Sequence, residues 1–353
     1  MRALLSSLVS LGMADIVRID QTDALVILSV LEYRRYPGGA VTSRGLVIGA
    51  GGVLGAAWSV GALAALREHL DWDPRFARAL VGTSAGGLLV SLLAAGVSVD
   101  ELVAWQADGA QDSVRFEHGV ATGGALPPVP YPVPGSLGLA ARGLPWRRDR
   151  VAPMTALSGL LPRGRGDLSA FAEAIDAVVP VGQWAPHPAV WVVACDRVTG
   201  ERVAFGAPGA PPAALRDAVR ASYGVPGWFP ATRICGRDYV DGGVASPTSA
   251  DLVAPLGLDE VVVLSPMTSA EPGPARGAAR VERLLRRAMN HRLDTEVAAL
   301  ERAGTRVVRL DPCAEDLAAM GPNLMDPRRR LATFQTARRT VAAALTGNEV
   351  VLR

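Results

Sequence analysis

Ala79-Leu80-Val81 runs straight into Gly82-Thr83-Ser84-Ala85-Gly86, and an apolar helical stretch, Leu88 to Leu93, follows. A short apolar run, then small residues, then a helical pattern predicts a sharp strand-to-helix turn with a serine at its apex. A serine hydroxyl is a poor nucleophile, so it needs exposure in a constrained position and a base nearby. Gly82 and Gly86 remove the side chains that would collide in such a turn. The helix beyond it aims its positive end and its free N–H groups at the same place. Ser84 is therefore the candidate nucleophile. The alternative is a packing turn in which the serine only caps the helix.

Two further segments supply what a nucleophile would need. Upstream, Leu46-Val47-Ile48-Gly49-Ala50-Gly51-Gly52-Val53-Leu54-Gly55 passes from a strand pattern into glycines, and a helical stretch from Ala56 to His69 follows. Bare backbone N–H groups in such a loop suit an oxyanion. Downstream, Tyr239-Val240-Asp241-Gly242-Gly243 ends a short strand on a carboxylate, where the glycines allow the chain to turn and aim Asp241 at another loop. Taken alone, Asp241 reads equally well as an Asx turn. The Gly49, Gly51, Gly55 spacing also fits a dinucleotide-binding turn. That reading requires an acid at the end of the next strand, where the sequence has Val81-Gly82-Thr83-Ser84, with Asp71 and Asp73 in the loop before it.

Strand patterns recur at Leu46–Ile48, Ala79–Val81, Val190–Ala194, Glu260–Leu264 and Arg306–Leu310, with helical stretches between them. This alternation predicts an α/β fold with a mostly parallel central sheet and helices on both faces. Residues 1–44 read as an N-terminal extension in which Leu25 to Leu31 adds a strand or helix, 45–313 as the main domain, and 314–353 as a C-terminal helical segment packed on it. Arg328, Arg329 and Arg330 are expected on a solvated face.

The glycine loop, the serine turn and the aspartate together resemble the patatin-like phospholipases, a family of lipid acyl hydrolases. Gly51-Gly52-Val53-Leu54-Gly55 matches the oxyanion loop, Gly82-Thr83-Ser84-Ala85-Gly86 the nucleophile turn, and Asp241-Gly242-Gly243 the dyad aspartate. Ala221-Ser222-Tyr223-Gly224-Val225-Pro226-Gly227-Trp228-Phe229-Pro230 is similar to the loop ahead of that aspartate, and Val244 to Leu252 to its continuation. The resemblance spans about residues 45 to 265, with an extension to residue 345, and implies a three-layer patatin-like fold. It further implies a Ser84–Asp241 dyad with no histidine between, and an oxyanion hole from Gly51, Gly52 and Val53. Gly55, Gly82, Gly86, Gly242 and Gly243 support the motifs. The implied substrate is a phospholipid or other acyl ester, with no metal or cofactor. Two positions depart from the family pattern: Ala50 stands for a glycine, and Leu54 for the usual arginine or lysine, removing a cation that would offset charge at the loop. A non-catalytic acyl-lipid binding protein on the same fold is the competing reading, and hydrolysis is not separable from transacylation by sequence.

A Ser–His–Asp triad is the other alternative. Of His69, His118, His187 and His291, only His291 follows Asp241, as the α/β-hydrolase order requires, but it falls in a charged helical pattern from Arg283 to Leu300. The 353 residues are 49% hydrophobic and 20% charged, the composition of an ordered globular chain. A net charge of +2, with every basic residue an arginine, argues against a general nucleic-acid binder. Cys195, Cys235 and Cys313 lie far apart, as expected of a reducing cytosol rather than a disulfide framework. The mildly apolar start, Ala3 to Ala14, lacks a clear cleavage site and is not read as a signal peptide. A cytoplasmic protein, peripheral at the membrane, is the expectation.

Residues 108–167 interrupt the α/β pattern with a Pro/Gly-rich run, Leu126 to Gly135, then Arg142, Arg147, Arg148, Arg150, Arg163 and Arg165. A long insertion of this kind is either functional or a solvated irregular segment. Leu137, Leu139, Leu144 and Trp146 beside arginines suit transient contact of 126–150 with a lipid surface.

Overall fold

The computed structural model describes residues 43–70, 72–106, 125–269 and 279–346. The readings of Ala3 to Ala14, of Leu25 to Leu31, of His118 and of the first part of the insertion lie outside these residues.

Strand β1 (Arg44–Ile48) enters helix α1 (Gly52–Leu70), and β2 (Ala79–Thr83) enters α2 (Ala85–Ala94), followed by α3 (Val99–Gln106). The insertion carries β3 (Tyr131–Pro134), α4 (Leu137–Ala141), α5 (Pro153–Ser158) and β4 (Pro162–Arg163). Helix α6 (Ser169–Asp176), β5 (Val190–Asp196), β6 (Arg202–Phe205) and α7 (Leu215–Ser222) lead to the hairpin β7 (Thr232–Ile234) and β8 (Arg237–Asp241). Then come β9 (Glu260–Leu264), α8 (Ala279–Arg302), β10 (Arg306–Leu310), α9 (Ala314–Met320) and α10 (Arg330–Thr346).

The main sheet runs β10-β9-β1-β2-β5-β8-β7, with β6 also on β5. The five strands expected from sequence pair in parallel. The short strand expected to end on Asp241, β8, and the additional strands β6 and β7 pair antiparallel. Successive side chains of a strand face opposite ways. Leu46, Ile48, Leu80 and Val192 accordingly join one core with α1, α2 and α7, whereas Val47, Val81, Val193 and Val263 join a second core with Leu293 and Leu300 of α8. The result is three layers, helix–sheet–helix. Helix α1 is buried from Gly52 to Leu66 because α10 covers the side turned away from the sheet. It begins four residues before the predicted Ala56, so the glycines form its first turn.

Four expectations are corrected. The stretch read as an irregular insertion holds, within its described part, two short helices and a two-stranded antiparallel sheet. Leu139 is buried inside that unit rather than offered to a surface. Arg330 is not solvated: it is buried, and its guanidinium donates to the carbonyls of Trp105 and Gln106, tying α10 to the end of α3. Ser43 and Arg44 belong to the sheet region rather than to an extension, since the Ser43 N–H and hydroxyl both donate to Asp259.

The turn between β2 and α2 demands its glycine by proximity. A Cβ on Gly86 would lie 1.9 Å from the Ile48 carbonyl oxygen, which is backbone and cannot yield. Gly86→Ala is expected to destabilise the fold by about 3 kcal/mol, read as a lower midpoint of urea unfolding. Gly138→Ala, in α4 where the nearest atom to a new Cβ is 3.9 Å away, is the control. It should leave the midpoint unchanged or raise it by up to about 1 kcal/mol.

Candidate active site

Ser84 sits between the end of β2 and the start of α2 with φ 57° and ψ −122°, a conformation that L-residues adopt only when their surroundings enforce it. Three contacts do so here. Gly86 presses against Ile48, the Ser84 N–H donates to the Ser222 hydroxyl at 2.7 Å, and the Ser222 hydroxyl donates to the Val193 carbonyl at 2.6 Å. Ser222, at the end of α7, therefore couples the serine turn to β5. The sequence offers it only as part of the Ala221–Pro230 stretch, with nothing in its residue type to mark this role.

Asp241 reaches the same point by register. Thr83 lies opposite Val193, and Asp241 lies opposite Ala194. Because β6 occupies the other edge of β5 along 192–195, β2 and β8 meet end to end on one edge. The Ser84 hydroxyl donates to Asp241 Oδ2 at 2.5 Å, and the Gly243 N–H donates to Oδ1 at 2.7 Å. Burial pushes the Asp241 carboxyl up to about 6, against the opposing pull of those two donors. The chain beyond the aspartate is fixed by Glu296 of α8, a buried carboxylate that accepts from the hydroxyls of Ser246 and Thr248 and the N–H of Ala250.

The glycine loop closes the other side. Gly49 N–H donates to Leu264 O, Ala50 N–H to Pro247 O, and Leu54 N–H to Leu324 O. Gly51, Gly52 and Val53 lie between these anchors, at a helix start, where backbone N–H groups have no intrahelical acceptor. Gly52 has φ +59°, and a Cβ there would meet Met325 Sδ at 2.7 Å, so loop and C-terminal segment fit only around a glycine. Gly51 and Gly52 line a cavity with Ser84 and Asp241, whereas the Val53 side chain packs into the core. Leu54 is fully buried in that core, which gives a physical reason for its apolar side chain. Gly55 donates to Gly51 O and abuts Pro266, Gly82 faces Gly86, and Gly242 approaches Val193 O.

The cavity has a volume of about 330 Å³, the size of a small-ligand pocket. Beyond the residues already named, its walls are Met154, Leu157, Leu161, Met267, Leu285 and Met289. These apolar side chains come from α5, α8 and neighbouring loops, so no local motif announces them. None of the described histidines lines it. His69 contacts the Ala65 carbonyl, His187 contacts Ala77, and His291 is exposed on α8.

The insertion frames the cavity mouth. Leu157 and Leu161 line the cavity and are also 56% and 44% exposed. Leu126, Val129, Leu137 and Trp146 stand exposed on the same insertion. Arg142 and Arg147 both pair with Asp149, and Arg165 lies 4.8 Å over the Tyr131 ring, so these cations are partly engaged within the insertion. Among the described residues, no helix is long and apolar enough to cross a membrane.

Comparison with known proteins bears on this geometry. A solved structure, VipD from Legionella pneumophila, is similar over 87% of this chain and 67% of its own, at 14% identity and a TM-score of 0.41. A family model described as patatin-like phospholipase matches residues 46–254, a span that opens in β1 and takes in both Ser84 and Asp241. With more than half of its length so matched, the chain belongs to the patatin-like phospholipase family.

Proposed function

We propose that this protein is a serine acyl hydrolase that cleaves fatty-acyl esters of phospholipids or related lipids. The observation that carries the reading is the 2.5 Å hydrogen bond from the hydroxyl of Ser84, whose backbone is held at positive φ, to a buried Asp241 carboxylate, inside an apolar cavity. Ser84 Oγ attacks the ester carbonyl carbon as its proton passes to Asp241. The N–H groups of Gly51 and Gly52 stabilise the tetrahedral oxyanion. Collapse breaks the ester C–O bond, and the departing alcohol takes the proton from Asp241, leaving acyl-Ser84. Water then attacks the acyl carbon, Asp241 accepts its proton, and that proton returns to Ser84 as the fatty acid leaves. A carboxylate is too weak a base in water for the first step, and burial brings Asp241 closer to the working pH.

The apolar rim supports a second element of the reading, that the insertion rests on a lipid surface. A side chain such as Trp146 is then buried in the interface rather than in water. These exposed apolar residues stand on the insertion that also supplies Met154, Leu157 and Leu161 to the cavity, and the arginines of the same segment meet lipid phosphates.

Incubation with a fluorophosphonate should leave an adduct on Ser84, located by mass spectrometry. The adduct should vanish in Ser84→Ala, and Asp241→Asn should lower ester turnover by about 10²–10⁴-fold. A folded protein that takes no label would instead favour an acyl-lipid binding protein. The pH dependence is set by the ionised form of Asp241, the proton acceptor. Below its pKa the base is lost, so kcat/KM for a soluble short-chain ester should rise with pH through about 6. A limb near 3.8, the ordinary aspartate value, would contradict the assignment. For the surface contact, combined Leu126→Ser, Val129→Ser and Trp146→Ser should lower turnover of vesicle lipid relative to soluble ester by about tenfold. Equal losses on both substrates would sink the contact.

A further inference from the structure

A second compartment adjoins the cavity at Ser84. It has a volume of about 500 Å³, larger than the about 330 Å³ of its neighbour. Its walls are mostly apolar and include Pro132, Val133, Leu139, Phe229, Ala231 and Val240. It is built between the insertion and the β7–β8 hairpin, and the Arg197 guanidinium braces it, donating both to Gly135 O and to Asp238.

The two spaces share a wall. Ser158 and Pro226 line both of them. On that wall Leu161 faces the Ser84 side and Gly227 the other, and a Cβ on Gly227 would touch Leu161 at 3.9 Å. Along β8 the division is equally abrupt, since Val240 lines the second compartment and Asp241 the first. The second compartment also opens outward, because two of its lining residues, Tyr131 and Val133, are about half exposed. They belong to the segment that carries exposed Leu126 and Val129.

We propose that this compartment holds the uncleaved acyl chain of a two-chain lipid while the chain under attack lies in the cavity above Ser84. The proposal rests on the acyl-hydrolase reading of that site. An acyl chain is the occupant that fits, because the walls offer apolar contact, the opening faces the apolar surface segment, and the wall shared at Ser158 and Pro226 keeps the two spaces side by side. The two chains of one glycerolipid diverge from neighbouring carbons, so they can straddle a wall of that kind. A one-chain lipid would leave the second compartment without its apolar filling and bind less well.

The test uses the full chain carrying Ser84→Ala, mixed with vesicles of a diacyl glycerophospholipid that bears a photoreactive diazirine on one chain or, in a second preparation, on the other. After photolysis, one probe is expected to mark 131–135 or 226–240, and the other Met154, Leu157 or Met289. Two probes that mark only the residues around Ser84, or only exposed positions outside both spaces, would overturn the proposal. In the active protein, Val133→Trp and Ala231→Trp, which fill the compartment, should each lower the preference for two-chain over one-chain lipid by about tenfold. An unchanged preference in both would also overturn it. Cross-linking reads occupancy without turnover, whereas fluorophosphonate labelling reads Ser84, so failure of the two-chain site is distinguishable from failure of the hydrolase reading.

Discussion

Along one edge of β5, the backbone groups of Val190–Val193 pair with β2 and those of Ala194–Asp196 pair with β8. One parallel strand stops and one antiparallel strand begins at the same place, so two chain segments 157 residues apart deliver their ends to adjacent rungs. Everything at the candidate site is secondary to this sharing. The turn after β2 must lift Ser84 out of the sheet so that β8 can take over the edge, and the positive φ of Ser84 is the cost of that exit. Ser222 reinforces the junction, accepting from the displaced Ser84 N–H and donating to the Val193 carbonyl. A one-residue slip of β2 or β8 against β5 would turn that strand's side chains to the wrong face and separate the serine from the carboxylate.

The second consequence is electrostatic. Asp241 lies beside the core, where an ionised carboxylate is poorly solvated, and its surroundings supply a hydroxyl and one amide rather than a cation. Among the described residues these two hydrogen bonds hold the charge, and burial leaves the group more basic than an exposed aspartate. Two cations elsewhere in the fold have structural roles: Arg330 binds carbonyls at the end of α3, and Arg197 braces the insertion against β8.

Much of this was legible in the chain. The five parallel strands were marked by continuous apolar runs, because both faces of each are covered. The serine turn and the Asp241 turn were marked by glycines that close approach requires. The strands β6 and β7 escaped because they are short and lie at the margin of the sheet, with too few residues for an apolar run to stand out. The insertion looked irregular because Pro and Gly dominate it, yet Leu139 buries itself and a pair of short strands closes the unit. Arg330 was misjudged by its neighbours: three arginines in a row suggest a solvated face, and only tertiary structure reveals carbonyls waiting for one of them. The cavity walls left no trace because Met154 on α5, Met267 after β9, and Leu285 and Met289 on α8 are scattered along the chain and resemble any other apolar residue.

The bond from the Leu54 N–H to the Leu324 carbonyl has a bearing on the protein's synthesis. A ribosome releases the serine turn early and the aspartate much later, but the loop opposite them is clamped by a residue near the end of the described chain. A domain generally folds as a unit once its segments have emerged. A nascent chain that has exposed Ser84 and Asp241 therefore still lacks the clamp on its glycine loop, and the site reaches its final form only after residue 324 has left the exit tunnel. Vectorial translation thereby delays completion of the candidate site until the segment that clamps its glycine loop has been made.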